Sequence, residues 1–159
     1  MLSPHISFEH LKKAHWTLGQ TENAKMVVEF VQASMNDHDY ERVLNTFGDQ
    51  PYKQHNRSMK DGITGVVGAL EGLTKKFPEF SYDVKHVYVD GDYVTLHSHA
   101  TMKVKHRGND KQGFNIVDTW KVEDGKLVEH WDAVQALSFP MRIYSLLTGG
   151  AIRNSNGVF

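Results

Sequence analysis

The sequence predicts a single small α+β domain, with helices laid on one face of an antiparallel sheet. Apolar residues recur at helical spacing through the first half of the chain, and from Phe80 onward they alternate with polar ones. The alternating runs are parted by Asp-Gly or glycine-bearing turns, the mark of a meander that follows its helices in sequence. A chain of 159 residues can bury one real core and is too short for two comfortable domains.

Met1 to Gln20 reads as an extension, with a short helix from Phe8 to Trp16 ended by Gly19. Thr21 is a fitting N-cap for the next helix, whose Val27, Phe30, Val31 and Ser34 or Met35 fall on one stripe. Asp37 then caps a helix carrying Tyr40, Val43, Leu44 and Phe47, stopped by Gly48. Asp49 to Lys60 is polar and without period, hence a loop or a short edge strand. Asp61 caps a third helix with Ile63, Val66, Val67, Leu70 and Phe77 inward, closed by Pro78. Its Gly65, Gly68 and Gly72 form a smooth second face, suited to close approach by a neighbouring element or a ligand.

Four strands follow: Phe80 to Val89, Tyr93 to His106, Phe114 to Glu123 and Leu127 to Gln135. Asp90-Gly91 and Asp124-Gly125 make tight hairpins, and Gly108 to Gly113 a looser one. Phe139 to Leu147 predicts a last helix before a polar tail. The expected organisation is an extension over 1–20, the main domain over 21–137, and a C-terminal helix and tail over 138–159.

Composition removes several classes of function. Eighteen Lys and Arg against nineteen Asp and Glu give a net charge of −1, and so no electrostatic case for nucleic acid or an anionic membrane. Without cysteine there is no disulfide, thiolate nucleophile or zinc–thiolate site. No apolar run reaches the ~18–20 residues of a membrane span. Nor does the N-terminus read as a secretory signal, so the expected location is cytoplasmic.

The last hairpin, residues 114 to 132, carries the sharpest chemical signal. A two-residue Asp-Gly loop sets Asp118 across from Trp131 and turns Asp132 to the other side. A three-residue Glu-Asp-Gly loop sets Asp118 across from His130 and gathers Asp118, Trp120, His130 and Asp132 on one face. The second register places two carboxylates diagonally, ~7–8 Å apart at the backbone, with an imidazole and an indole beside them. A partly desolvated carboxylate is a stronger base, and a neighbouring acid can protonate an oxygen, as proton abstraction next to a carbonyl requires. An Asp–His ladder on a solvated sheet face reads equally well from the pattern alone.

A second polar cluster, Gln54-His55-Asn56 after Tyr52, suits a pocket rim or a surface loop. His97 and His99 share one strand face and would bind a metal only with a third ligand from elsewhere. Trp120, Trp131, Tyr52 and Tyr82 suit a flat or aromatic ligand, or simply a core.

Tyr52-Lys53-Gln54-His55-Asn56 with Gly62 and Gly65, then His97-Ser98-His99, then Val122 to Asp132, resemble the SnoaL-like polyketide cyclase group of the nuclear transport factor 2-like superfamily. Asn154 to Phe159 is similar to tails in a subgroup described as predicted aldol-condensing enzymes. The resemblance implies a cystatin-like cone, a strongly curved antiparallel sheet wrapped by N-terminal helices, assembled as a homodimer. It implies an aldol ring closure with Asp132, seven residues after Gly125, as general base, and the expected function is cofactor-independent proton abstraction alpha to a carbonyl of a small aromatic or polyketide-like substrate, ending in aldol cyclisation, isomerisation or dehydration. The cyclases carry a His seven residues before that glycine; here the residue is Asp118, so His55 or His130 is expected to supply the imidazole. The expected catalytic set is therefore Asp132, Asp118, His55 and His130. Tyr52, Gln54, Asn56, Tyr82, His97, His99, Trp120 and Trp131 are expected to bind substrate. A non-catalytic small-ligand carrier and a metal site at the strand histidines are the alternatives.

Overall fold

A capping box starts the main helical layer of the chain, whose residues 3–148 and 154–159 are described by a computed structural model. The Thr17 side chain accepts from the backbone N–H of Gln20, and the Gln20 side chain accepts from that of Thr17. Helix α2 therefore spans Leu18–Val31, with Gly19 inside it, four residues ahead of the predicted cap at Thr21. The preceding helix α1 is a single turn, Phe8–Leu11, rather than a run to Trp16. After α2 the chain widens into a π-helical turn over Gln32–Asn36, which the sequence did not signal. That turn delivers the buried Asn36 to the sheet, where its amide accepts from Tyr82 N at 2.7 Å and donates to Tyr82 O at 3.1 Å.

Helix α3, Tyr40–Phe47, is capped by Asp39 rather than the predicted Asp37, whose carboxylate is taken by the Gln32 amide at 2.7 Å. Helix α4, Ile63–Lys76, starts after Gly62 at φ +80°, because Asp61 spends its carboxylate on the N–H of Gln54. The predicted glycine face serves only at Gly65, where a Cβ would stand 2.2 Å from the Lys60 carbonyl oxygen. Gly68 and Gly72 look into open space, and no neighbouring element approaches them.

The sheet has five strands in the order β1-β5-β4-β3-β2. Strands β2 (Ser81–Asp90), β3 (Tyr93–Thr101), β4 (Phe114–Glu123) and β5 (Lys126–Ala136) form the antiparallel meander. β3 ends five residues before the predicted His106, which lies in a 3₁₀ turn. β1, Lys53–Gln54, is a short edge strand running parallel to β5. Bulges in β2 and β5 add twist and curve the sheet around the helices. Phe30 of α2 is the hub between the layers, with Phe47, Tyr52 and Trp120 at centroid distances of 5.2, 6.2 and 6.3 Å. A last helix, α5 (Phe139–Thr148), follows the sheet.

The final hairpin adopts neither predicted register. Asp124 (φ +48°) and Gly125 (φ +70°) make a two-residue turn that pairs Glu123 with Lys126. A bulge then absorbs Val128, so Trp120 lies across from His130 and Asp118 directly across from Asp132. The extra residue in β5 does what the longer loop was expected to do, and it brings the acids opposite rather than diagonal.

Candidate active site

Strand β4 alternates cleanly, with Phe114, Ile116, Asp118, Trp120 and Val122 all turned to the buried face. An aspartate in that row is held by the fold and not by solvent: Asp118 is only 2% exposed. Its Oδ1 lies 3.2 Å from Nε2 of His130, and its Oδ2 is buried. The imidazole is fixed on every side. Trp120 and Tyr52 flank its ring at centroid distances of 4.8 and 6.1 Å, and its Nδ1 lies 2.8 Å from Oε1 of Gln54.

Gln54 settles which proton the histidine carries. Its Oε1 also accepts from the Asn56 backbone N–H at 2.8 Å, so it is an acceptor and His130 must donate from Nδ1. A hydrogen bond between Nε2 and Asp118 then needs a second proton on one of the two groups. It rests on the carboxyl beside a neutral imidazole, or on the imidazole beside a carboxylate. Burial raises the Asp118 pKa, the His130 hydrogen bond and charge oppose that rise, and the negative charge of Asp132 reinforces it.

Asp132 completes the group from the facing strand, with its Cβ ~4.5–5.5 Å from that of Asp118 as directly opposed residues stand. Oδ2 of Asp132 accepts from the side-chain amide of Asn56. Exposure rises along β5 from the buried His130, through half-buried Asp132, to Val134 at 52%, so solvent reaches the acids from the Asp132 end. Tyr82 enters from β2; burial, then the charges of Asp118 and Asp132, hold its phenol well above the usual range and hence protonated. Tyr52 is buried and accepts from the Trp120 indole N–H at 2.9 Å, so both serve as packing behind the imidazole.

The structure thus brings together Asp118, Asp132, His130, Gln54, Asn56, Tyr52, Tyr82 and Trp120. It sends four predicted residues elsewhere. His55 follows the alternation of β1 onto the opposite face of the sheet from Gln54, where Glu129 lies 2.8 Å from its Nε2 and Trp131 stacks on it at 5.0 Å. Glu129 is lowered in pKa: burial pushes it up, but hydrogen bonds and charge from His55 and Lys53 outweigh that. His97 and His99 lie on the outer face of β3, bound to Asn115 Oδ1 at 2.6 Å and to the Gln112 carbonyl at 2.7 Å. Among the described residues no three His, Asp, Glu or Cys side chains gather as a metal would need, so the third ligand for the strand histidines is missing.

Sequence reasoning missed two contributors. Ser98 sits on the inner face across from Ile116 with its hydroxyl buried and unpartnered, and the apolar Val94, Leu96 and Ala100 around it were the available signal. Asp61, read as a helix cap, instead holds the loop that carries Gln54 and Asn56. A cleft of about 510 Å³ lies elsewhere, lined by His5, Lys25, Glu29 and Arg42 among others, and none of the acid group reaches it.

Known proteins share both this sequence pattern and this architecture. The sequence profile described as "SnoaL-like domain" matches residues 27–130. A candidate polyketide cyclase from Bacillus cereus ATCC 10987 is similar in structure, with TM-score 0.60 and 22% identity over 72% of this chain and 75% of that one. A candidate SnoaL-like polyketide cyclase from Jannaschia sp. CCS1 has TM-score 0.63 and 15% identity over 87% and 99% of the two chains. An uncharacterised cystatin-fold protein from Novosphingobium aromaticivorans has TM-score 0.57 and 18% identity over 70% and 97%. No curated protein matches. The chain belongs to the SnoaL-like domain family, and its α+β architecture is the cystatin-like, nuclear transport factor 2-like fold.

Proposed function

We propose that this SnoaL-like domain is an enzyme that removes a proton alpha to the carbonyl of a small, polyketide-like compound. Asp132 takes the proton from carbon, and the proton held between Asp118 and His130 passes to the carbonyl oxygen, giving an enol. Collapse of the enol by aldol closure, isomerisation or loss of water returns both protons, so no outside reactant is needed. The observation that carries this reading is the direct opposition of Asp132 to the buried Asp118, whose Oδ1 lies 3.2 Å from Nε2 of the buried His130. A base beside a proton donor is the arrangement general acid–base catalysis uses. His130, one strand across, supplies the imidazole that related cyclases carry at the position of Asp118, and Tyr82 offers a second donor. His55 has no part in it.

The test is deuterium uptake in D₂O at the α-carbons of aryl methyl ketones and short β-keto esters, followed by proton NMR. Exchange above the buffer rate is expected, with a fall of about 10²–10⁴-fold in Asp132→Asn. Retention of the rate within a few-fold would remove Asp132 as the base.

One observation favours a second reading, a non-catalytic carrier: Asp118 and His130 are so buried that a ligand meets them only past Asp132. Binding of the same ketones without any exchange would select it. The reading also takes the domain as a homodimer joined through the outer sheet face, where Tyr88 and Tyr93 are exposed. A monomer by sedimentation equilibrium at tens of micromolar would remove that part.

A further inference from the structure

The two groups that orient the acids, the Gln54 amide on His130 and the Asn56 amide on Asp132, come from one three-residue segment. Its own two-residue strand secures that segment only at its centre, where the His55 N–H donates to the His130 carbonyl at 2.9 Å and the His55 ring meets Glu129 and Trp131. What holds it from behind is the far end of the chain. The side-chain amide of Asn154 donates to the Asn56 carbonyl at 2.9 Å, and that of Asn156 donates to the Gln54 carbonyl at 3.1 Å. The Asn156 amide also donates to Asp61 at 2.6 Å, the same carboxylate that accepts from the Gln54 N–H, and Ser155 reaches it at 3.4 Å. Asn154 in turn accepts from the Asn156 backbone N–H at 2.9 Å, which locks the two amides as one unit.

We infer that Asn154 and Asn156 are positioning residues of the acid site, a clamp that holds Gln54 and Asn56 in register with His130 and Asp132. The physical ground is that a side chain can aim a hydrogen bond only as well as its backbone is held, and here both carbonyls flanking His55 are bound by the tail. The contacts join residues about a hundred positions apart, so the clamp forms only when the tail has returned to the mouth of the sheet. The catalytic consequence rests on the function proposed above; the clamp itself does not.

The test therefore needs no substrate. In ¹⁵N-labelled protein the His130 Nδ1 proton and the Asn56 side-chain amide protons should be slowed in exchange by their partners. In the doubly substituted Asn154→Ala, Asn156→Ala protein both should exchange at least ten-fold faster, while the Trp120 indole proton, bonded to Tyr52 and untouched by the tail, keeps its rate. Unchanged exchange at His130 and Asn56 would overturn the clamp. Should the Trp120 proton also accelerate, the single Asn156→Ala substitution is judged by the same comparison. Failure of the ketone assay with these protons responding as expected would leave the clamp standing and strike only the proposed chemistry.

Discussion

The Nδ1 proton of His130 is fixed one hydrogen bond away, at Gln54. Replacing Gln54 with Leu leaves the Nδ1 proton of a buried imidazole without an acceptor, at a cost of about 1–3 kcal/mol read by urea unfolding. The same change should let the imidazole take the other tautomer, visible in its ¹⁵N shifts. Asp118 itself makes a stability prediction with a definite sign. A carboxyl whose pKa is raised on folding contributes fully below its unfolded value, near 3.8, and that contribution is lost as pH rises through the folded value. Asp118→Asn should therefore gain in melting temperature over the parent protein at pH 8, with the difference shrinking toward pH 4. A gain that grows toward acid pH would contradict the raised value.

Among elements, the turns and helices differ in what they require of glycine. Gly125 sits at φ +70° with open space where a methyl group would stand, so Gly125→Ala should cost about 1 kcal/mol from backbone conformation alone. Gly113 combines φ +80° with a Cβ position 2.1 Å from the Ala100 carbonyl oxygen, so Gly113→Ala should destabilise clearly more. Gly68, exposed and facing open space inside α4, should be stabilised by alanine by up to about 1 kcal/mol. Chemical denaturation of the three variants orders them, and any other order would contradict these backbone assignments. These elements were legible in the sequence because periods of 3.6 and 2 survive in a single chain. Their caps were less so, since Asp37 and Asp39 are equally good caps until Gln32 claims one of them. The register of β5 was not legible, because a bulge at Val128 leaves no mark in composition. The side on which His97 and His99 lie could have been read from the apolar Val94, Leu96 and Ala100 that alternate with them.

At the scale of the whole molecule, the acid site joins a rigid wall to a lightly tethered rim. Its wall is β4, paired on both sides along its length, while its rim depends on a two-residue strand and the chain's end. Backbone hydrogen exchange should rank them, with Asp118 and Trp120 amides among the slowest and those of Gln54 and His55 well ahead of them. Equal protection in wall and rim would argue against that division. The tail's return was illegible because it depends on contacts far apart in sequence that no local pattern encodes. The wall also filters what can come near it. From Tyr82 and Val84 on β2, through Leu96, Ser98, Ile116 and Trp120, to His130 on β5, the inward strand positions carry no lysine or arginine. A carboxylate or phosphate brought to Asp132 would meet a like charge with no lysine or arginine on that wall to offset it, so on the function proposed above an uncharged substrate is the one expected.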